Sequence, residues 1–513
     1  MRQVALGGGE RAGLFGRRGA VSNAAVAAAV VVAAMIGLSG SAWWSWLIAV
    51  LLVAATLGAV TPLEPLGGRT LAARVARTIL FRRRAQQGLL QFTPGEPAFD
   101  RRGRATTGPR FVPSSVGRVV PVTVTAKAGG HEGQVCVLIH RSTVGVDYAT
   151  VVLEVETGGG GVRDSQDIEE EYQRWGRVKS ALAAPGSLVR GLQQVERIQP
   201  PSIVAHERFL LDAVPEGVKT LLVRSYVNVL DLLSWKAERH LTLVVLRMPF
   251  TVAWDSTVKA TFGEVCDATH ARQAVAEASR VTQLLLGEGG ARRVRPLSER
   301  ELAASIRAML RDDWSWGETS DVDGEPLTLN SCWPAYDASD KTMLVVQGQR
   351  WVRIARVDTR FLPPDPVSVT IFRRLVTGIY PTVVRTLVMT EDLVPAAKAR
   401  GDAKAEATIA TASAVADATR VADGSSSDRL TSAQVRLRDL RPGTGYHASN
   451  WTMHIAISAD SAQALARATT TLEGAAGDIG IPLEWLDEEH DLALTSVLPL
   501  GRGLKTSTKK VLG

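Results

Sequence analysis

The sequence predicts an α+β fold behind an N-terminal two-helix transmembrane hairpin, and three observations carry that expectation. From Gly19 to Leu63 there are 45 residues without an ionisable side chain. Beyond about residue 117, short β-branched runs alternate with helix-like stretches, which is the pattern of a mixed sandwich. The same α+β plan then recurs in the second half, with an Ala-rich, charge-studded insertion.

Taking the elements in order, the uncharged run is about twice the ~20 residues that one membrane helix needs. Gly37, Gly40 and the "SGSAWW" between its halves supply a turn, and Trp43, Trp44 and Trp46 suit a lipid–water interface. Arginines flank the run on both sides: Arg11, Arg17 and Arg18 before it, then Arg69, Arg74, Arg77, Arg82, Arg83 and Arg84 after it. By the positive-inside rule, the expectation is a multi-pass protein of the inner (plasma) membrane with both termini cytoplasmic. In "RTLAARVARTILFRRRA", Leu71, Val75 and Ile79 recur at spacing four. That pattern suits an amphipathic helix on the inner leaflet, with its guanidinium groups at the phosphates of anionic lipids. A nucleic-acid arm and a solvated basic linker are the competing readings.

Charge supports a local anionic partner. The chain has 513 residues and a formal charge of +7. Residues 1–110 hold 14 Arg, no Lys and four acids, a net of 14 − 4 = +10, so the remainder is (59 − 14) − (52 − 4) = −3. That balance argues against direct nucleic-acid binding by the soluble part. Cys136, Cys266 and Cys332 are widely spaced and odd in number, which fits a reducing compartment and neither a disulfide framework nor a zinc knuckle.

The expected organisation is a transmembrane hairpin with a basic start (1–66), a juxtamembrane basic helix (67–94) and a Gly/Pro/Arg-rich linker (95–116). A first cytoplasmic α+β domain (117–313) and a second (314–513) follow, the second carrying a helical-hairpin insertion at 393–441. "RVVPVTVTA", "QVCVLIHR", "YATVVLEVET", "SLVRGLQQVERIQP" and "HLTLVVLRMPF" read as strands of the first domain. Helices are expected at 164–183, 217–237 and 264–287, and from Ser298, whose capping box closes on Glu301. In the second domain "KTMLVVQGQRWVRIARVDTRF" reads as a hairpin turning at "QGQ", "PVSVTIFRRLVTGIY" as helical, and "TVVRTLVMTEDL" as a strand. "NWTMHIAISA", "DSAQALARATTTLEGAAGD" and "IPLEWLDEEHD" then form a strand–helix–strand group. Strands and helices in this order suggest ferredoxin-like α/β sandwich units.

Motifs that carry chemistry are scarce. "GRGLKTS" (501–507) lacks the Gly, four residues, Gly-Lys-Ser/Thr spacing that aims backbone amides and a lysine at phosphates. "GGGG" (158–161) is read as a strand exit, and the acids of the following helix would repel phosphate. "HERF" (206–209) lacks the second histidine of a zinc-protease helix. "DEEHD" (487–491) bunches metal-capable side chains that cannot all converge from a regular element, so it is read as a charged turn. Trp314 and Trp316 in "DDWSWGE" (312–318) are placed at a domain boundary. The expectation is therefore no enzyme, no cofactor, no metal and no catalytic residues, with the tryptophans and arginines named above as the interface.

Several of these stretches resemble a known family. "GERAGLFG", the hairpin, "LFRRRAQQ", "YQRWGRVKSAL", the Ala-rich insertion before "WTMHIAISADS" and the closing "LTSVLPLGRGL" resemble actinobacterial membrane proteins of type IV secretion and conjugative-transfer clusters. In these, a PrgI-like two-helix segment is joined to something like the non-ATPase amino-terminal half of the secretion ATPase. "LPLGRGL" is similar to the element where the first half of such an ATPase ends and its motor begins, and here the chain stops. The resemblance implies a non-catalytic, membrane-anchored scaffold, an oligomer that docks a separate translocation ATPase and other machine subunits. A type VII (EccE-like) membrane component resembles it as well, and an anchored ligand-binding protein or enzyme is the alternative from another class.

Overall fold

The computed structural model describes residues 3–4, 20–39, 43–60, 62–63, 69–128, 131–143, 145–157, 165–200, 220–311, 317–320, 323–357, 362, 367–368, 370–377, 379, 383–417 and 425–503. The "GGGG", "HERF" and "DDWSW" stretches, the first 18 residues' arginines, and Lys505 and Thr506 lie outside them.

Helices, in chain order, are α1 (Ala20–Ser39), α2 (Trp43–Val60), α3 (Leu71–Gln86), α4 (Ser165–Ala183), α5 (Thr220–Lys236), α6 (Val252–Phe262), α7 (Asp267–Gly287), α8 (Glu299–Leu310), α9 (Arg373–Thr377), α10 (Ala396–Asp417), α11 (Ser425–Asp439), α12 (Ala462–Gly477) and α13 (His490–Val497). Strands are β1 (Gln3–Val4), β2 (Pro62–Leu63), β3 (Arg69–Thr70), β4 (Gln91–Phe92), β5 (Val119–Ala128), β6 (His131–His140), β7 (Tyr148–Glu156), β8 (Gly191–Gln199), β9 (Arg239–Pro249), β10 (Arg293–Pro296), β11 (Tyr336–Asp337), β12 (Leu344–Val346), β13 (Arg350–Val357), β14 (Val367–Ser368), β15 (Val384–Val394), β16 (Ala448–Ala459) and β17 (Leu483–Trp485).

One 13-stranded sheet dominates, in the order β4-β11-β12-β13-β16-β15-β8-β9-β7-β6-β5, with β10 on β7 and β17 on β13. Every neighbouring pair in it is antiparallel. Its connectivity repeats. In the first half β10-β7-β9-β8 places the last, first, third and second strands of a β-α-β-β-α-β run side by side, and in the second half β17-β13-β16-β15 does the same. Each run is preceded by a hairpin and followed by a short helix, α8 or α13. The two halves meet where β8 lies against β15, with Val195 opposite Val388.

Alternation along the strands sorts the core. One face of the sheet carries Leu138, Val195, Leu243, Ile354 and Val388 against α8, α13 and Phe81 of α3. The other face is covered by α4, α6 and α7 over the first half, around Trp254, and by α9 and α12 over the second, around Leu387 and Ile455. The β12–β13 hairpin turns on Gln347 and Gly348, both left-handed at φ 48° and 68°, with the Gln349 amide donating to the Val346 carbonyl across them. Ser298 caps α8: its Oγ accepts from the Glu301 amide, and Glu301 Oε2 accepts from the Ser298 amide.

The structure corrects three expectations. First, α1 and α2 pack against each other as a helical pair, but among the described residues no helix is long and apolar enough to cross a membrane. At about 1.5 Å per residue the 18 residues of α2 reach about 27 Å, short of a hydrocarbon core of about 30 Å. The transmembrane hairpin and the multi-pass inner-membrane placement that rested on it are therefore overturned. Second, the halves are not separate sandwich units, because β8 and β15 fuse them into one sheet whose common face is covered by a single core. The helix expected at 217–237 is α5, which sits between β8 and β9 just as α10 and α11 sit between β15 and β16. Third, among its described residues the stretch read as helical at 366–380 holds only β14 and the five-residue α9.

Candidate docking site

The basic helix α3 turns two of its guanidinium groups, those of Arg77 and Arg84, into the protein. Arg77, Phe81 and Arg84 recur at spacings of four and three, so they share one helix face. Phe81 is buried in the large core. The two arginines reach the acidic turn "EWLDEEHD". Arg77 Nη2 lies 2.8 Å from Glu489 Oε2 and 3.5 Å from Glu484 Oε1. Arg84 Nε lies 3.1 Å from Asp491 Oδ2, and its Nη2 donates to the Glu488 carbonyl at 2.6 Å. Between them, Thr78 Oγ1 donates to Glu488 Oε2 at 2.8 Å.

The turn is built to receive them. Glu488 has φ 66°, a left-handed conformation uncommon for a residue with a Cβ, and its amide donates to the Lys341 carbonyl. This reversal turns both the carbonyl and the carboxylate of Glu488 towards α3. Lys341 Nζ binds Glu488 Oε1 at 2.8 Å and sits over the Phe81 ring. Behind the turn, Arg356 pairs with Glu484 and Arg353 with Asp487, while Arg353 stacks over Trp485 at 4.2 Å. Five carboxylates (Glu484, Asp487, Glu488, Glu489, Asp491) thus meet five cations (Arg77, Arg84, Lys341, Arg353, Arg356).

Their titration follows from burial and pairing. Burial alone would raise Glu488, but hydrogen bonds from Lys341 and Thr78 outweigh it and hold the carboxyl below its usual range. Asp487 goes the same way through His490 and Arg353. Asp491, deeper, is pushed up by burial that Arg84 does not fully offset. Carboxylates engaged in this way hold elements together. Among the described residues no group of three or more His, Cys, Asp or Glu is placed to hold a metal ion.

The second feature is the "LPLGRG" segment. Leu498 and Leu500 are buried in the common core. The fully buried Gln193 of β8 binds the segment as a clamp: its Nε2 lies 3.1, 3.0 and 3.3 Å from the carbonyls of Ser496, Leu498 and Arg502, and its Oε1 accepts from the Gly501 amide at 2.7 Å. From β15, opposite Gln193, Thr390 Oγ1 donates to the Arg502 carbonyl. The segment therefore crosses the line where the two halves join. Gly501 has φ 66°, and a Cβ there would stand 2.7 Å from Thr150 Cγ2. Gly503, at φ 118°, is similarly confined by Thr390. The glycines serve close packing on a sheet, a geometry unlike a phosphate-cradling loop.

Of the residues named as a membrane interface, Trp44 and Trp46 are exposed on α2, and Arg74, Arg82 and Arg83 are exposed on α3. Arg77 and Arg84 face inward, and the side chains of Trp43 and Arg69 lie outside the described residues. Gln193, Lys341 and Glu484 went unnoticed because nothing local marks them: Gln193 acts across 308 residues of sequence. The "DEEHD" run was visible as charge, and only its partner was not.

No family model matches the chain, and no curated protein matches it either.

Proposed function

We propose that this chain is a non-catalytic scaffold subunit of a type IV secretion or conjugative-transfer-like machine, and that it docks a separate translocation ATPase. The machine is suggested by the sequence resemblance. The scaffold role is supported by the use to which the structure puts its charged side chains. The observation that carries it is the lock between α3 and the acidic turn, where Arg77, Thr78 and Arg84 join elements more than 400 residues apart in sequence. The "LPLGRG" segment supports the same reading, since it closes the sheet between the two halves. The exposed Arg74, Arg82 and Arg83 on the outer side of α3 offer an acidic partner protein a rigid, prepositioned surface.

Cross-linking of the full chain in its native cells, followed by mass spectrometry, tests the proposal. A translocation ATPase should be recovered, with links to α3. Recovery of no translocation subunit counts against the docking role. Nucleotide hydrolysis by the purified full chain that vanishes on a single side-chain substitution refutes the non-catalytic reading.

A further inference from the structure

β5 is an edge strand ten residues long, and among the described residues nothing pairs beyond it. Its free side can be assigned. The Arg141 amide donates to the Arg118 carbonyl, which continues the β5–β6 register, so 118 and the even positions after it bond to β6. The backbone groups of Val119, Thr123, Thr125 and Lys127 therefore point outward, together with the carbonyl of Pro121. Proline at 121 is consistent with this assignment, because the outward row is where a missing N–H breaks no ladder bond. On the helix-covered face, Val122, Val124 and Ala126 are only partly buried against the first-half core.

We propose that this edge pairs with β5 of a second copy of the chain, antiparallel about a two-fold axis at Val124. The register is self-complementary. Thr123 stands opposite Thr125 of the second copy, and the two exchange both ladder bonds. Lys127 donates its amide to the carbonyl of Pro121 across the axis, so proline costs one bond per side and no charge meets its like. Thr123 and Thr125, both exposed, form two cross-strand threonine pairs. Val124 of each copy meets the other beside the valine row and extends the apolar face. A second copy is favoured over an unrelated strand by this symmetry and by the fold's own precedent. The molecule already joins two copies of one plan through antiparallel edge strands, at Val195 opposite Val388. The assembly would continue that sheet across an isologous interface.

Sedimentation of the full chain over a concentration series gives the first test, with a monomer–dimer equilibrium expected. Thr125→Pro removes an outward N–H and no β6 bond, so it should leave the fold intact by circular dichroism while weakening the dimer about tenfold or more. In a Cys266→Ser background, Val124→Cys should give a disulfide-linked dimer on mild oxidation, since non-hydrogen-bonded pairs bring Cα atoms to about 4.5 Å. A chain that stays monomeric throughout overturns the proposal. So does a dimer that Thr125→Pro leaves unchanged and Val124→Cys does not cross-link. Dimerisation rests on the β5 edge alone, so it stands or falls independently of any ATPase docking.

Discussion

Gly501 and His454 show how much a single position can carry. At Gly501 an added methyl meets two obstacles: a left-handed backbone and Thr150 Cγ2 at 2.7 Å. Gly501→Ala should destabilise the fold by about 2–4 kcal/mol, from the dihedral penalty plus overpacking. Gly324→Ala, where φ is 83° but no atom lies within 4 Å, should cost only the dihedral part, about 1–2 kcal/mol. Urea denaturation of the two variants decides; equal losses would mean that the "LPLGRG" clamp has no packing role. His454 lies buried on β16, with Arg356 and Glu484 nearby and its Nδ1 unpartnered among the described residues. Burial brings its pKa down to about 4 from 6.5. The unfolded chain therefore takes up the proton first as pH falls, and stability present above pH 6.5 is lost between 6.5 and 4. By pH 5 that loss is about 2 kcal/mol. His454→Gln should flatten this acid-side slope, and unfolding midpoints at pH 7 and pH 5 measure it.

At the scale of elements, α3 shows what a local pattern can and cannot reveal. Its helical period was legible from Leu71, Val75 and Ile79, and these are the outward positions: Leu71, Val75 and Ile79 are exposed. The inward face is Arg77, Phe81 and Arg84, which looks like the polar side until its partner is known. Arginine beside an acidic turn is buried by pairing, and the pairing spans the whole chain, so no window of sequence contains it. Strands were easier, because alternation is a local signal: "RVVPVTVTA" marks β5 and "NWTMHIAISA" marks β16. Missing α6 has a similar cause, since "VAWDSTVKATF" is short and its buried side is only Trp254 and Val258. The lock itself predicts an asymmetry. Arg84 and Asp491 have side chains only 14% and 5% exposed. Arg84→Ala strands a buried carboxylate and should cost about 3–5 kcal/mol. Asp491→Asn keeps the shape and removes a charge whose pKa burial already raises, so it should cost clearly less. A double-mutant cycle on thermal unfolding tests the order, and an equal or larger loss for Asp491→Asn would show that Arg84 does not compensate that carboxylate.

For the whole molecule, the decisive feature is that the repeats share a sheet and one face of core. Repetition was legible in the sequence; fusion was not, because edge-to-edge pairing of β8 with β15 depends on which polar residues each edge presents and not on its apolar period. Eight residue pairs join the strands, from Arg385 opposite Ile198 to Asp392 opposite Gly191. Over them lies a core that takes Val195 and Leu243 from one half and Ile354 and Val388 from the other, with α8 and α13 both packed on it. A boundary between independently folding domains needs a seam where few contacts cross, and here the seam is a buried ladder. Unfolding should therefore be cooperative across β5 to β17. Val388→Ala, at a fully buried position on the junction, should cost about 2 kcal/mol. It should lower hydrogen-exchange protection by the same free energy in β9 and in β13, although each belongs to a different repeat. Protection lost in the second half alone would mean that the halves fold separately and that the continuous sheet is an assembly of two stable units. Equal loss in both would make the junction the place where the two repeats become one cooperative body.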